Sequence, residues 1–255
     1  MNAVIQYGSK GKDVVKLQEL LNKWILKEDG SHNHRYCKPD GDFGPNTRDI
    51  AKDYQLSMFL LKDGVIGSKT WSALLGTEMY NCFDLPTPFV RAPNQYQCWA
   101  GATAMELGQA SANITQPPGV LFETIPGVGL GGIKNTHENM QKFADHHKFQ
   151  MFKAEALSCL QLTNLVDQFG RLMLDIMGVD STMQRGAPDA SHFVNLVGAR
   201  GNGQPDGTTM TLYNPSAPPG GGQVITASYK YLKSKYPRLT YQVFYSFGNR
   251  SIPIR

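Results

Sequence analysis

Long apolar runs are missing from this chain of 255 residues. None approaches the roughly 18 residues that a membrane-crossing helix needs, so no membrane span is expected. The stretch from Met1 to Gly8 shows no basic segment leading into an apolar core, so no ordinary secretory signal is expected there. A protein built this way and acting outside its cell would leave through a specialised secretion system or on lysis. Cysteine is scarce: only four, at Cys37, Cys82, Cys98 and Cys159, too sparse for a small disulfide scaffold. Free thiols are the expectation. No Lys/Arg run with interleaved aromatics occurs, and a net charge of +4 is too weak to point to nucleic acid, although it suits an anionic polymer. With 41% hydrophobic and 18% charged residues, the chain does not read as disordered.

What is present begins with an echo. Asp40-Gly41-Asp42-Phe43-Gly44-Pro45-Asn46-Thr47 is repeated as Asp63-Gly64-Val65-Ile66-Gly67-Ser68-Lys69-Thr70. Each box reads as a tight turn, a buried apolar plug and a helix start. Val14, Leu17, Leu20, Leu21 and Trp24 predict a first helix; Ile50, Ala51, Tyr54 and Met58 a second; Trp71, Leu74 and Leu75 a short third one closed by Gly76. The run Gly8 to Gln18, the two boxes and Trp71-Ser72-Ala73-Leu74-Leu75 together resemble the peptidoglycan-binding domain often appended to wall hydrolases. The resemblance implies a three-helix domain over residues 1–76, with peptidoglycan as a partner. An inserted loop, Lys27 to Pro39, departs from that pattern. It carries His32, His34 and Cys37, but no second ligand cluster at a familiar spacing, so it is read as a solvated loop and no metal is expected. Residues 77–94, with Pro86, Pro88 and Pro93, read as a linker, and residues 95–255 suffice for one α+β domain.

Gln95-Tyr96-Gln97-Cys98-Trp99-Ala100-Gly101-Ala102-Thr103-Ala104-Met105 predicts a helix beginning at Cys98 and packed tightly through small residues. A cysteine there sits at the positive end of the helix dipole, which favours the nucleophilic thiolate. A thiolate needs a base, and the base needs an orienting group. Ala190 to Gly198 predicts a strand with His192 near its start, and Gly207 to Pro215 a strand ending at Asn214. Paired antiparallel, they make His192 and Asn214 neighbours, with Asn214 able to hold the imidazole tautomer. Asp189 and Asp206 are substitutes if Asn214 does not serve. Cys159, on an amphipathic helix, reads as inert. His146 and His147 read as solvated on a polar helix from Asn135 to Lys148. Ile225 to Tyr236 predicts a basic helix, and Leu239 to Phe247 a closing strand.

Cys98-Trp99-Ala100-Gly101-Ala102-Thr103-Ala104-Met105, Ser191-His192-Phe193-Val194-Asn195-Leu196-Val197-Gly198 and Tyr213-Asn214-Pro215 resemble the compact bacterial branch of papain-like cysteine peptidases, which includes injected effectors. The resemblance implies a nucleophile helix packed on an antiparallel sheet, with Cys98 as nucleophile, His192 as base and acid, Asn214 as orienting residue, and no cofactor. Papain-like enzymes place an oxyanion-donating Gln six residues ahead of the cysteine; here Ala92 stands there. Gln95 is the expected replacement beside the Cys98 N–H, with Asn94 and Gln97 also near. Cys98 and His192 are also closer in sequence than the roughly 130–150 residues usual in papain and cathepsins, which implies a trimmed domain.

The expected function is a cysteine-dependent hydrolase of amide or peptide bonds, directed to peptidoglycan in the periplasm or cell wall. Effector-type delivery as an antibacterial toxin would bring an immunity or inhibitor protein as a further partner. The alternative is a cysteine protease acting on a protein, with the N-terminal domain used for localisation or delivery. An acyl transferase with the same three residues, and a wall-binding protein with a degenerate enzyme domain, are the other rivals; Ala92 keeps the last one open. The sequence sets no oligomeric state.

Overall fold

In the computed structural model, residues 3–29, 36–58, 60–76, 83–84, 87–153, 157–180, 183–184, 186, 190–201, 203–216 and 222–246 are described. Helices and antiparallel sheet combine in an α+β architecture. The chain divides into two units, residues 1–80 with 202–204, and residues 81–201 with 205–255.

The first unit holds α1 (Lys12–Asp29), α2 (Pro45–Ser57) and α3 (Ser68–Leu75). Val14, Leu17 and Leu21 of α1, Ile50 and Tyr54 of α2 and Trp71 of α3 close on the two plugs, Phe43 and Ile66, in one core. The echo in sequence is an echo in hydrogen bonding. In the first box the Gln18 amide donates to Asp40 Oδ1 (3.0 Å), Asp42 O (3.1 Å) and Thr47 Oγ1 (3.2 Å), and its Oε1 accepts from Gly41 N (3.0 Å). In the second, Gln55 donates to Asp63 Oδ1 (2.9 Å), Val65 O (3.0 Å) and Thr70 Oγ1 (3.4 Å), and accepts from Gly64 N (2.8 Å). Gly41 and Gly64 turn with φ of 75° and 77°, which a side chain would strain. A buried glutamine on the preceding helix thus satisfies each loop's polar groups, and removing it would leave several unpaired.

The second unit is built on a sheet in the order β4 (Gln150–Lys153), β9 (Gln242–Tyr245), β5 (Leu172–Met177), β6 (Ser191–Gly201), β7 (Thr208–Asn214) and β8 (Gln223–Ser228). Every pairing is antiparallel. β6 is long enough to serve two partners along one edge: Ser191 to Leu196 pairs with β5, and Gly198 and Ala199 pair with β1 (Phe83–Asp84). α4 (Cys98–Leu107) lies over β6 and β5, where the Asn195 amide donates to Ala102 O (3.1 Å) and Glu106 Oε1 (2.6 Å). The small run Ala100-Gly101-Ala102 lets this helix approach the sheet closely, and all of α4 except Leu107 is buried. The hairpin of β2 (Phe122–Ile125) and β3 (Gly129–Ile133) and helix α5 (His137–His147) complete this side, with Trp99, Phe122 and Phe143 in ring contact. α6 (Cys159–Phe169) packs against β5, and α7 (Tyr229–Lys235) against β7 and β8.

Three expectations are corrected. Of residues 77–94, read as a linker, 83–84 form a sheet strand and Ala92 N donates to Pro215 O (3.0 Å), so part of that segment belongs to the second unit. The helix expected over Ile225 to Tyr236 starts only at Tyr229. The β-branched run Val224-Ile225-Thr226 pairs with β7 instead, and Ser228 caps the helix by accepting from Tyr231 N. His147 is half-buried rather than solvated: its ring packs on Phe143 and Phe149 at 4.8 and 5.7 Å, and burial lowers its pKa to about 4. Cys82, Asp189, His32, His34 and Phe247 lie outside the described residues.

Candidate functional site

α4 begins at Cys98 itself. Its N-cap residue, Gln97, makes no side-chain cap bond; the Gln97 amide donates instead to Leu130 O (3.3 Å) in β3, and Trp99 Nε1 donates to Gly131 O (3.2 Å). The start of the helix is thereby tied to the β2–β3 hairpin on both sides of Cys98. The Cys98 and Trp99 N–H groups approach the sulfur, and Phe193 N donates to it at 3.5 Å. The sulfur therefore lies against the backbone of the residue that follows His192.

His192 and Asn214 come together as the strand pairing requires. Asn195 stands opposite Tyr213, so Asn214 falls opposite Val194, a diagonal neighbour of His192 on the same face. His192 Nε2 and Asn214 Oδ1 are 2.8 Å apart, and Ser216 N donates to the same oxygen (3.2 Å). Both side chains are buried, His192 at 1% exposure and Asn214 at 0%. Gly101 makes the corner possible: a Cβ there would sit 2.6 Å from Pro215 Cβ and 2.9 Å from Ala92 N.

A cleft of about 310 Å³ is lined by Gln95, Tyr96, Cys98, Asn135, Ser191 and His192, with Glu123 and Asp180 among its other residues. Of the three amides considered for an oxyanion donor, Gln95 lines the cleft. Gln97 is turned to Leu130 O, and Asn94 Oδ1 accepts from Tyr96 N (2.9 Å). A larger cavity, about 570 Å³, is lined by Met177, Met183, Tyr236 and Arg238 among others; among the described residues no cysteine or histidine faces it. Asp206, held as a substitute for Asn214, is exposed and paired with Lys230. Among the described residues no group of three His, Cys, Asp or Glu could hold a metal ion, and no helix is long and apolar enough to cross a membrane. Cys37 is buried, with its sulfur 3.5 Å from Thr47 Oγ1.

The electrostatics correct the expectation of a standing thiolate. Burial pushes the Cys98 thiol up to about 11, the Phe193 N–H opposes it, and Asp175 adds to the rise. Burial likewise pulls His192 down to about 4 against the Asn214 hydrogen bond and the Asp180 charge. A helix N-terminus offsets charge by a fraction of what desolvation costs, so at neutral pH both groups rest uncharged.

The sequence reading missed Asp175. It is a lone acid in the wholly buried strand Leu172-Met173-Leu174-Asp175-Ile176-Met177, and that isolation was the available signal. Its carboxylate accepts from Ser191 Oγ and from Asn135 Nδ2 (3.4 Å).

Among solved structures, the N-terminal domain of SleB is similar to this chain at 33% identity, over 30% of this chain and 93% of that one, with a TM-score of 0.25. The Burkholderia AP3 phage endolysin is similar at 19% identity, over 57% of this chain and 62% of that one, with a TM-score of 0.24. Residues 10–74, the two glutamine-clamped boxes and the helices around them, match the family model of a peptidoglycan binding domain, and this is the domain that the N-terminal unit carries.

Proposed function

We propose that the chain is a wall-directed cysteine hydrolase in which residues 1–76 hold peptidoglycan and residues 95–255 cleave an amide bond in it. The observation that carries the reading is the 2.8 Å contact between His192 Nε2 and Asn214 Oδ1, made where the Cys98 sulfur touches the next backbone N–H. An Asn oxygen can only accept, so Nε2 carries the proton, and Nδ1 is left with the lone pair of a base.

Because thiol and imidazole both rest neutral, the first step is coupled. The Cys98 proton passes to His192 Nδ1 as the sulfur attacks the carbonyl carbon. The developing oxyanion is met by the Cys98 N–H and the Gln95 amide. His192 then gives its proton to the leaving amine as the C–N bond breaks. Water, deprotonated by His192, hydrolyses the thioester and returns the thiol. No cofactor enters this cycle, and a protein exported for such work would need an inhibitor in the producing cell.

Purified sacculi incubated with the protein should release soluble fragments bearing new amino termini, and a Cys98→Ala protein should release none. Intact sacculi alongside cleavage of casein would move the assignment to a protease of proteins. Incorporation of a labelled amine would move it to acyl transfer. Absence of all three would leave a wall-binding protein with an inactive second domain.

A further inference from the structure

We propose that Asp175 is the positioning residue of this cleft: it anchors the start of β6 through Ser191, and its charge governs how readily Cys98 releases a proton. The inference rests on the reading of Cys98 as the nucleophile. Asp175 is fully buried in the middle of β5, opposite Phe193 on β6 and Gln242 on β9. From behind the cleft, its two oxygens hold two of the lining residues. Oδ1 accepts from Ser191, the residue before His192, and Oδ2 from Asn135, ahead of α5. Ser191 and Asn135 both line the cleft, so one carboxylate ties together the strand that brings His192 and the wall across from it.

Among the described residues, the groups that face Asp175 are few. Ser191, Asn135 and Gln242 are neutral. The titratable and charged ones are the Cys98 thiol of α4 and the Arg238 guanidinium, which comes from the turn before β9. Burial drives the Asp175 pKa up to about 7, opposed by Ser191, Asn135 and Arg238 in that order. The carboxylate therefore changes charge near neutral pH, and its charge acts on the Cys98 thiol. Two negative charges in one buried site oppose each other, so an ionised Asp175 holds Cys98 in its thiol form. The attack then waits for a substrate whose carbonyl takes up the charge as the proton moves to His192.

The test is alkylation of folded full-length protein by iodoacetamide across pH, with Cys98 and Cys159 followed separately by peptide mass. In Asp175→Asn, which keeps the shape and removes the charge, the midpoint for Cys98 should fall by more than about half a pH unit. The Cys159 midpoint should stay where it is. Should that variant fail to fold, Asp175→Ser serves, which removes the charge with a smaller polar side chain, and the Cys98 midpoint should again fall. An unmoved Cys98 midpoint in a variant with native circular dichroism, or equal movement at Cys159, overturns the proposal. The readout needs no substrate: a shifted midpoint with untouched sacculi would sink the wall-hydrolase reading and leave the role of Asp175 standing.

Discussion

Two helices of the second unit begin on a cysteine, α4 on Cys98 and α6 on Cys159. By position alone they are equivalent. Both sulfurs are buried, and burial raises both thiols to about 11. The difference lies around them. At α6, Ser158 and Gln161 form a reciprocal capping box, which occupies the helix start, and the Thr208 side chain acts on the Cys159 thiol against the effect of burial. At α4 the cap residue turns away, the first N–H groups approach the sulfur, and His192 lines the same cleft. Neither acidity nor the helix dipole separates the two cysteines. The N–H groups turned to the sulfur and a cleft shared with a histidine do.

That contrast can be broken by substitution. Cys98→Ala should cut fragment release from sacculi by on the order of 10⁴-fold or more, while Cys159→Ala leaves it within about threefold. His192→Gln should change how the fold responds to acid. In the folded chain His192 resists protonation down to about 4, against 6.5 when unfolded. Its contribution is thus complete above 6.5 and is lost as pH falls from there towards 4. Denaturant melts at pH 6.5 and 4 should show the variant losing less stability than the parent, by up to about 3 kcal/mol. Asn214→Ala should slow cleavage about 10²-fold by leaving the imidazole free to turn, with little change in binding to sacculi, whereas Thr208→Val beside Cys159 should not alter the rate. The smallest effect is expected at the occupied helix start: Ser158→Ala should cost about 1 kcal/mol in a thermal melt and leave the rate unchanged.

How far the sequence could be read followed the range of the interactions. The two boxes declared themselves because turn, plug and helix start lie within a few residues. Their clamps did not: Gln18 and Gln55 sit on amphipathic helices where a glutamine normally signals solvent, and only the folded loop reveals that each is buried. The partnership of His192 and Asn214 was legible because strand alternation fixes which side chains share a face. The state of Cys98 was not, since the position of a helix start can be read from a motif while the depth of burial around it cannot. The β8 segment misled for a related reason: its basic neighbours suggested a helix, and pairing with β7 decided otherwise.

Gly101 sets a tolerance for the whole assembly. The strap at Ala92, the corner at Pro215 and the third turn-facing position of α4 meet where a single hydrogen replaces a methyl group. A heavier residue would wedge Pro215 outward, and the amide that steadies the imidazole would travel with it. The spacing of Cys98, His192 and Asn214 is therefore kept by an atom that makes no hydrogen bond of its own, and drift at this inert position would disturb that arrangement without touching any of the three.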